Sequence, residues 1–471
     1  MSGRRASTSV AAALADASPV PVWLDSRERP EQRPPLSGTV RTKLAVVGGG
    51  FTGLWSALRA LERDPGASVV VLEADRVASA ASGRNGGFVE ASLTHGLANG
   101  LAHFPSEIGT LERLGRENLD GLESTLVREE IDCGYERTGS IDVATATWHL
   151  EVIADGATTA REHGAHVELL DGPAVRARVD SPTYLGGLAH PGSSAIVDPA
   201  RLGWGLARAV ESRGGVVHEG SQVTSMTGEG RSVRLATGAG TVIADEVVLA
   251  TNAFPPLVRT VRRYVIPVYD YVLATEPIDA ERLASIGWSG REGLSDVGNQ
   301  FHYYRLTPDD RILFGGYDAI YYYGNAMGAA RESRRASFEL LARHFSETFP
   351  QLEGVRFTHA WGGAIDTCSR FCAFFGTAEH GRAAYAAGFT GLGVGASRFA
   401  ADVLLDLVGR VPSERAALEM VRTKPFPFPP EPLRSLVVAR TRRSIARADA
   451  SGGRRDAWLR LLDRLGVGFD S

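Results

Sequence analysis

Lys43-Leu44-Ala45-Val46-Val47 runs straight into Gly48-Gly49-Gly50-Phe51-Thr52-Gly53. A short apolar run followed at once by spaced glycines predicts a buried strand ending in a tight turn. Leu54 to Leu61 then reads as a helix, closed by Asp64-Pro65-Gly66, and Ser68-Val69-Val70-Val71-Leu72 as a second strand ending at Glu73. In Gly48-x-Gly50-x-x-Gly53 the first glycine permits the turn, the second lets backbone approach a pyrophosphate, and the third packs helix against strand. Phe51 and Thr52 lie in the turn, and the free N–H groups and positive dipole end of the helix that follows suit phosphate. Glu73, with Ala74 after it, stands where a carboxylate takes hydrogen bonds from an adenosine ribose. Strand, helix, strand and acid together predict a dinucleotide site; the plain alternative is a tight turn with no ligand.

The loop alone leaves FAD and a nicotinamide cofactor open. A second glycine turn, Gly388-Phe389-Thr390-Gly391-Leu392-Gly393, follows a short strand at 383–387 and precedes a helix to about Val408. A cofactor-contacting turn so late in the chain favours FAD. Between the two turns lies a third glycine segment, Ser82-Gly83-Arg84-Asn85-Gly86-Gly87-Phe88.

The 471 residues suffice for two or three domains. A net charge of -4 gives no electrostatic case for nucleic acid or an anionic membrane surface. No apolar run reaches the roughly 18–20 residues of a membrane span. Three cysteines, Cys133, Cys368 and Cys372, argue against a disulfide framework, fit a reducing, cytoplasmic compartment, and lack the companions a zinc site needs, so no metal is expected. Only two lysines, Lys43 and Lys424, stand among 51 basic residues.

Residues 1–41, Pro-rich over 30–35, read as a leader that is partly ordered at best. Helices are expected near 106–130, 198–212 and 332–349, and an aromatic, β-branched region over 264–360 predicts a mixed sheet. The expected class is α/β (α+β): a discontinuous Rossmann-type FAD-binding domain (42–93, 191–260, 361–410), a mixed-sheet substrate domain (94–190, 261–360) and a helical, Arg-rich extension (411–471).

Four segments carry a family likeness: Val46 to Leu54, Ala81 to Phe88, Trp361-Gly362-Gly363 with Asp366, and Gly388 to Gly393. The chain resembles the FAD-dependent oxidases that include D-amino-acid oxidase, glycine oxidase and sarcosine oxidase, most of all the gamma-glutamylputrescine oxidoreductase branch. The resemblance implies that Ser82, Gly83, Arg84, Asn85 and Gly86 run along the pyrophosphate and isoalloxazine, with Gly87 and Phe88 following. It places Val223 at the adenine, Thr251 and Asn252 near the cofactor, and Trp361, Gly362, Gly388, Gly391, Leu392 and Gly393 by the ring. The implied reaction is oxidation of a C–N bond in a small amine or amino acid: hydride passes to flavin N5, the imine hydrolyses, and oxygen or another acceptor takes the electrons. Competing readings are a flavin dehydrogenase, a nicotinamide-dependent reductase and a non-enzymatic flavoprotein.

Two departures from the family matter. In the sarcosine oxidase branch a strand lysine activates oxygen; the matching place here reads as Phe314. A histidine or arginine then supplies the positive charge, or another acceptor is used. The cysteine that attaches FAD in that branch falls near Gly363 here, so noncovalent FAD is expected. For substrate contacts the strand Phe301-His302-Tyr303-Tyr304-Arg305 presents either His302 and Tyr304, or Phe301, Tyr303 and Arg305, to the flavin. Arg305 suits a carboxylate, and His359 is a further candidate. The plain alternative is that these aromatics are core.

Overall fold

The opening apolar run is the inner end of a longer strand, Gly38–Val47, whose residues 44–47 are buried. In the computed structural model, which describes residues 10–467, it lies in the middle of a sheet. Its parallel neighbours are Val69–Leu72 and Gly240–Leu249; Val216–His218 and Ala383–Ala387 extend the sheet, again in parallel. Strands buried on both faces carry no alternation, and Val69–Leu72 is buried throughout. The helix Phe51–Arg63 packs between Pro199–Ser212 and Gly393–Gly409. Asp198 caps the second of these, accepting from the Ala200 and Arg201 N–H groups with Pro199 in the first turn. A hairpin adds to this sheet, Ser232–Ala236 pairing with Gly240–Leu249.

The aromatic region builds the second sheet, in the order Ile320–Tyr321, Ile266–Thr275, Ile312–Gly316, His302–Leu306, Gly293–Asp296, Ser140–Ala144, Gly186–His190, Glu168–Asp171. Phe357–Thr367 pairs along Ile266–Thr275. The helix Arg335–Thr348 covers one face through Phe338, Leu341 and Phe345. The other face looks onto the first sheet across a large cavity.

Three expectations need correction. Residues 10–41 are not a loose leader: Trp23, Leu24 and Leu36 are buried, and Ser18 bridges to the strand at His359. Burying an indole is a large apolar gain, enough to hold a chain lacking regular structure. Residues 361–367 belong to the second sheet, because Phe357–Thr367 pairs over its whole length with Ile266–Thr275. The helix Ile108–Arg128 joins the core of the first sheet through Leu111, Leu119 and Leu122. The C-terminal extension is helical, with Leu433–Ala450 and Ala457–Arg464 its main pieces; residues 468–471 lie outside the described chain. Among the described residues no helix is long and apolar enough to cross a membrane.

Candidate active site

The cavity measures about 1510 Å3, above the usual range of roughly 300–1,000 Å3 for one small ligand. One end is the first glycine turn. Gly48 has φ +111°, and a Cβ there would overlap the Ala250 carbonyl; a Cβ at Gly53 would overlap the Gly48 carbonyl oxygen. The helix that follows has neither an acidic first turn nor a side-chain cap, so its positive end stays free for an anion. Phe51 N–H donates to Ser82 Oγ at 3.0 Å. Glu73 accepts from Gly49 N–H at 2.6 Å and Asp75 N–H at 2.9 Å, and burial nevertheless pushes its pKa up. Gly48, Gly50, Phe51, Thr52, Glu73 and Ala74 all line the cavity, and Val223, Thr251 and Asn252 close this end. The set fits an ADP moiety: a carboxylate at the end of the second strand, a helix N-terminus at the cavity, and glycines in the cradle.

The segment 82–88 forms the middle of the wall. Ser82, Arg84, Asn85, Gly86, Gly87 and Phe88 line it, whereas Gly83 is buried beneath, where a Cβ would overlap the Ala78 carbonyl. Asn85 fixes the turn, donating to the Ala81 and Ser82 carbonyls and accepting from Gly87 N–H at 2.8 Å. Trp23 and Trp361 clamp its backbone from behind: their indole N–H groups donate to Asn85 O and Arg84 O, each at 2.9 Å. Trp361, Gly362, Gly53 and Gly388 therefore support the site and do not line it. Opposite, Gly391, Leu392 and Gly393 line the cavity. Asp366 Oδ2 holds that turn through Gly388 N–H at 2.7 Å, and burial raises its pKa to about 7.

Strand alternation decides the third wall. Phe301 and Tyr303 face the cavity; His302 and Tyr304 face the covering helix. His302 is held there by Asp296 Oδ2 at 2.6 Å and stacks on Tyr317, while Tyr304 stacks on Phe314. Phe314 likewise points away from the cavity, against Phe345; Gly316 is the residue of its strand that lines the cavity, and Gly315 lies under the Tyr303 ring. Arg305 does not line the cavity: it is fully buried, donating to the Val197 carbonyl at 2.6 Å beside the Trp23 ring, and burial lowers its pKa to about 10. His359 contacts Thr358 and Asp25 at the sheet margin. None of the four residues proposed from sequence as catalytic reaches the cavity.

The residue that does is Tyr303, whose hydroxyl donates to Asp270 Oδ2 at 2.5 Å. Burial pushes the Asp270 carboxyl up to about 6, against the opposing hydrogen bond from Tyr303. Asp270 lies opposite Gly363 in the register, and the Tyr303 ring is closest to where a Gly86 Cβ would stand, so the pair sits where the segment 82–88 meets Phe357–Thr367. Sequence alternation offered Tyr303 only as one of two faces, and nothing marked Asp270. Further along, Glu90, Asp142 and His190 line the same cavity, as do Phe426, Phe428, Val438 and Ile445 of the extension. Their positions follow from tertiary packing, which no local pattern announces. Neither lysine lines it: Lys43 pairs with Asp64 at 2.8 Å, and Lys424 with the Tyr385 hydroxyl.

The sequence profile of the family described as FAD dependent oxidoreductase matches residues 43–407. Gamma-glutamylputrescine oxidoreductase of Escherichia coli is 32% identical over 401 residues, covering 83% of this chain and 89% of that protein. The probable oxidoreductase OrdL of Haemophilus influenzae is 27% identical over 401 residues, covering 81% and 87%. The crystal structure of glycine oxidase from Geobacillus kaustophilus superposes with a TM-score of 0.69 at 21% identity, covering 82% of this chain and 99% of that one. With a cradle that fits FAD and a family match over most of its length, the chain belongs to the FAD-dependent oxidoreductase family of D-amino-acid oxidase type.

Proposed function

We propose that the protein oxidises a C–N bond of a small amine whose reacting carbon bears no carboxylate. The observation that carries this reading is the charge of the cavity beyond the FAD cradle. Its lining arginines are Arg84, Arg263 and Arg442. Arg84 is tied to Glu332 at 2.8 Å and to the Gly362 carbonyl; Arg263 and Arg442 are exposed. Arg305, the sequence's choice for a carboxylate, is spent on backbone carbonyls. Facing the cavity instead are Asp270, Glu90 and Asp142. Gamma-glutamylputrescine, the compound in one relative's name, is an amine.

Bound FAD supplies the two-electron acceptor for the hydride on the carbon beside nitrogen. The chain's own task is to hold that carbon and to keep the nitrogen neutral, since an ammonium has no lone pair to drive hydride loss. Tyr303 and Asp270 provide a route for the proton. The Tyr303 oxygen takes a proton from the substrate ammonium as its own proton passes to Asp270 Oδ2. Gly315, below the Tyr303 ring and with no side chain of its own, leaves space for that ring to approach. FAD would be held by hydrogen bonds and packing: Cys372 is fully buried, and Cys368, although it lines the cavity, has its thiol donating to the Cys372 and Gly388 carbonyls.

Oxygen is the acceptor in this reading. A flavin dehydrogenase is the second reading, favoured by the one observation that no lysine lines the cavity. Anaerobic addition of an amine panel to the purified yellow protein tests the function: bleaching of the flavin band is expected with amines and not with the matching α-amino acids. No bleaching with any amine overturns it. Peroxide on readmitting air marks the oxidase; turnover only with an artificial dye marks the dehydrogenase.

A further inference from the structure

Beyond Tyr303 the cavity continues past the strand Phe88–Glu90 to a second polar group of residues. Glu90 sits there half-buried and lines the cavity, and no N–H or O–H among the described residues donates to its carboxylate. Next to it, Asp142 Oδ2 is 3.0 Å from His190 Nε2, and Asp142 Oδ1 accepts from Ser295 Oγ at 2.6 Å. Burial opposes charge on Asp142, but these two hydrogen bonds hold its pKa below the usual carboxylate value, and the same pairing raises that of His190. Asp142 and His190 are thus matched, and Glu90 is surplus negative charge. Burial and the nearby Asp142 charge push the Glu90 carboxyl up to about 7. A carboxylate left without a donor inside a protein is costly unless something else supplies the positive end.

Position relates this group to the reacting end. Phe88 and Glu90 lie on the same face of their strand, about 7 Å apart by the strand rise. The Phe88 ring meets the Tyr303 ring edge to face, with centroids 5.7 Å apart. The cavity wall therefore reads, in order, Asp270 and Tyr303, the Phe88 ring, then Glu90. That is an acceptor for one nitrogen, an apolar spacer, and an acceptor for a second cation.

We propose that Glu90, supported by the Asp142–His190 pair, is the subsite for a second ammonium group, so that the substrate is a diamine or a longer amine with a cationic group several bonds from the carbon oxidised. The proposal rests on the amine reading above and narrows its substrate class. No covalent step is involved. Glu90 positions the chain and takes no part in the bond that breaks.

The test compares α,ω-diamines with 1-alkylamines of equal length, on wild type and on Glu90→Gln, with flavin content confirming that the variant folds. Wild type is expected to prefer the diamine in kcat/KM by at least tenfold. Glu90→Gln should lose most of that preference, through KM and with little change in kcat. A bis-quaternary alkane diammonium, which has no lone pair and is not oxidised, gives a readout independent of turnover. It should raise the Tm of wild-type holoprotein more than that of Glu90→Gln. Equal rates for diamines and alkylamines in wild type, together with no differential Tm shift, would overturn the subsite. If no amine reduces the flavin yet the diammonium still stabilises wild type selectively, the amine reading fails and the cation site stands.

Discussion

Gly53 has no room for a methyl group: a Cβ there would overlap the carbonyl oxygen of Gly48, and only a shift of the helix would relieve it. Gly53→Ala should therefore loosen the cradle and weaken FAD binding at least tenfold, read by titrating apoprotein with FAD. Unchanged affinity would mean that the turn does not hold the cofactor. This residue was legible in the sequence because the requirement is local to one turn. Asp270 was not, because its meaning comes from a strand partner at Gly363 and a tyrosine 33 positions away. With its carboxyl pushed up to about 6 by burial, Asp270 becomes ionised, and able to take a proton, as pH rises through that value. The amine-oxidation rate should show a rising limb centred near pH 6. Asp270→Asn should flatten that limb and lower kcat on the order of a hundredfold; a profile that keeps it assigns the proton elsewhere.

At the scale of elements, the helix Leu433–Ala450 closes the cavity although it lies outside the family match at 43–407. Its end is pinned where Asp449 accepts from the Asn299 and Gln300 N–H groups at 3.1 and 2.9 Å. Its start is pinned where Glu431 Oε1 accepts from the Tyr321 hydroxyl at 2.6 Å and from Gly324 N–H at 3.0 Å. Asp449→Ala removes the first anchor while touching nothing in the FAD cradle. The KM for amine should rise several-fold and flavin content should hold; unchanged KM would make the extension a bystander. The helix itself was readable from its composition, but its destination was not. Its apolar residues Val437, Val438 and Ile445 would suit any surface, and only the fold brings them to this cavity. The strand 301–305 teaches the same lesson: period-two alternation separated Tyr303 from His302 and Tyr304, and packing of Arg335–Thr348 chose which set faces inward.

For the whole molecule, the cavity that would hold FAD is lined by residues of both sheets, so bound FAD would link them and its loss should cost stability throughout. A ligand at one hundred times its Kd adds about 2.7 kcal/mol, and apoprotein should melt well below holoprotein. Acid precipitation should leave the colour in the supernatant; colour kept in the pellet would show a covalent bond. Three carboxyls, Glu90, Asp270 and Asp366, have their pKa values raised to about 7, 6 and 7, in each case chiefly by burial. Such groups bind protons more tightly folded than unfolded. Their contribution is fully present below about pH 4 and is lost as pH rises through 6 to 7. Glu90→Gln apoprotein should therefore gain Tm relative to wild type between pH 5 and pH 8, and a constant difference would mean that the Glu90 pKa is not raised.

The sequence by itself determined the β-α-β unit, its dinucleotide and the three glycine segments, because each rests on backbone geometry that only glycine and a local run of residues can satisfy. The tertiary structure alone decided the substrate end. Tyr303, Asp270, Glu90 and Asp142 come from four different strands, and their chemistry depends on burial and on neighbours distant in the chain.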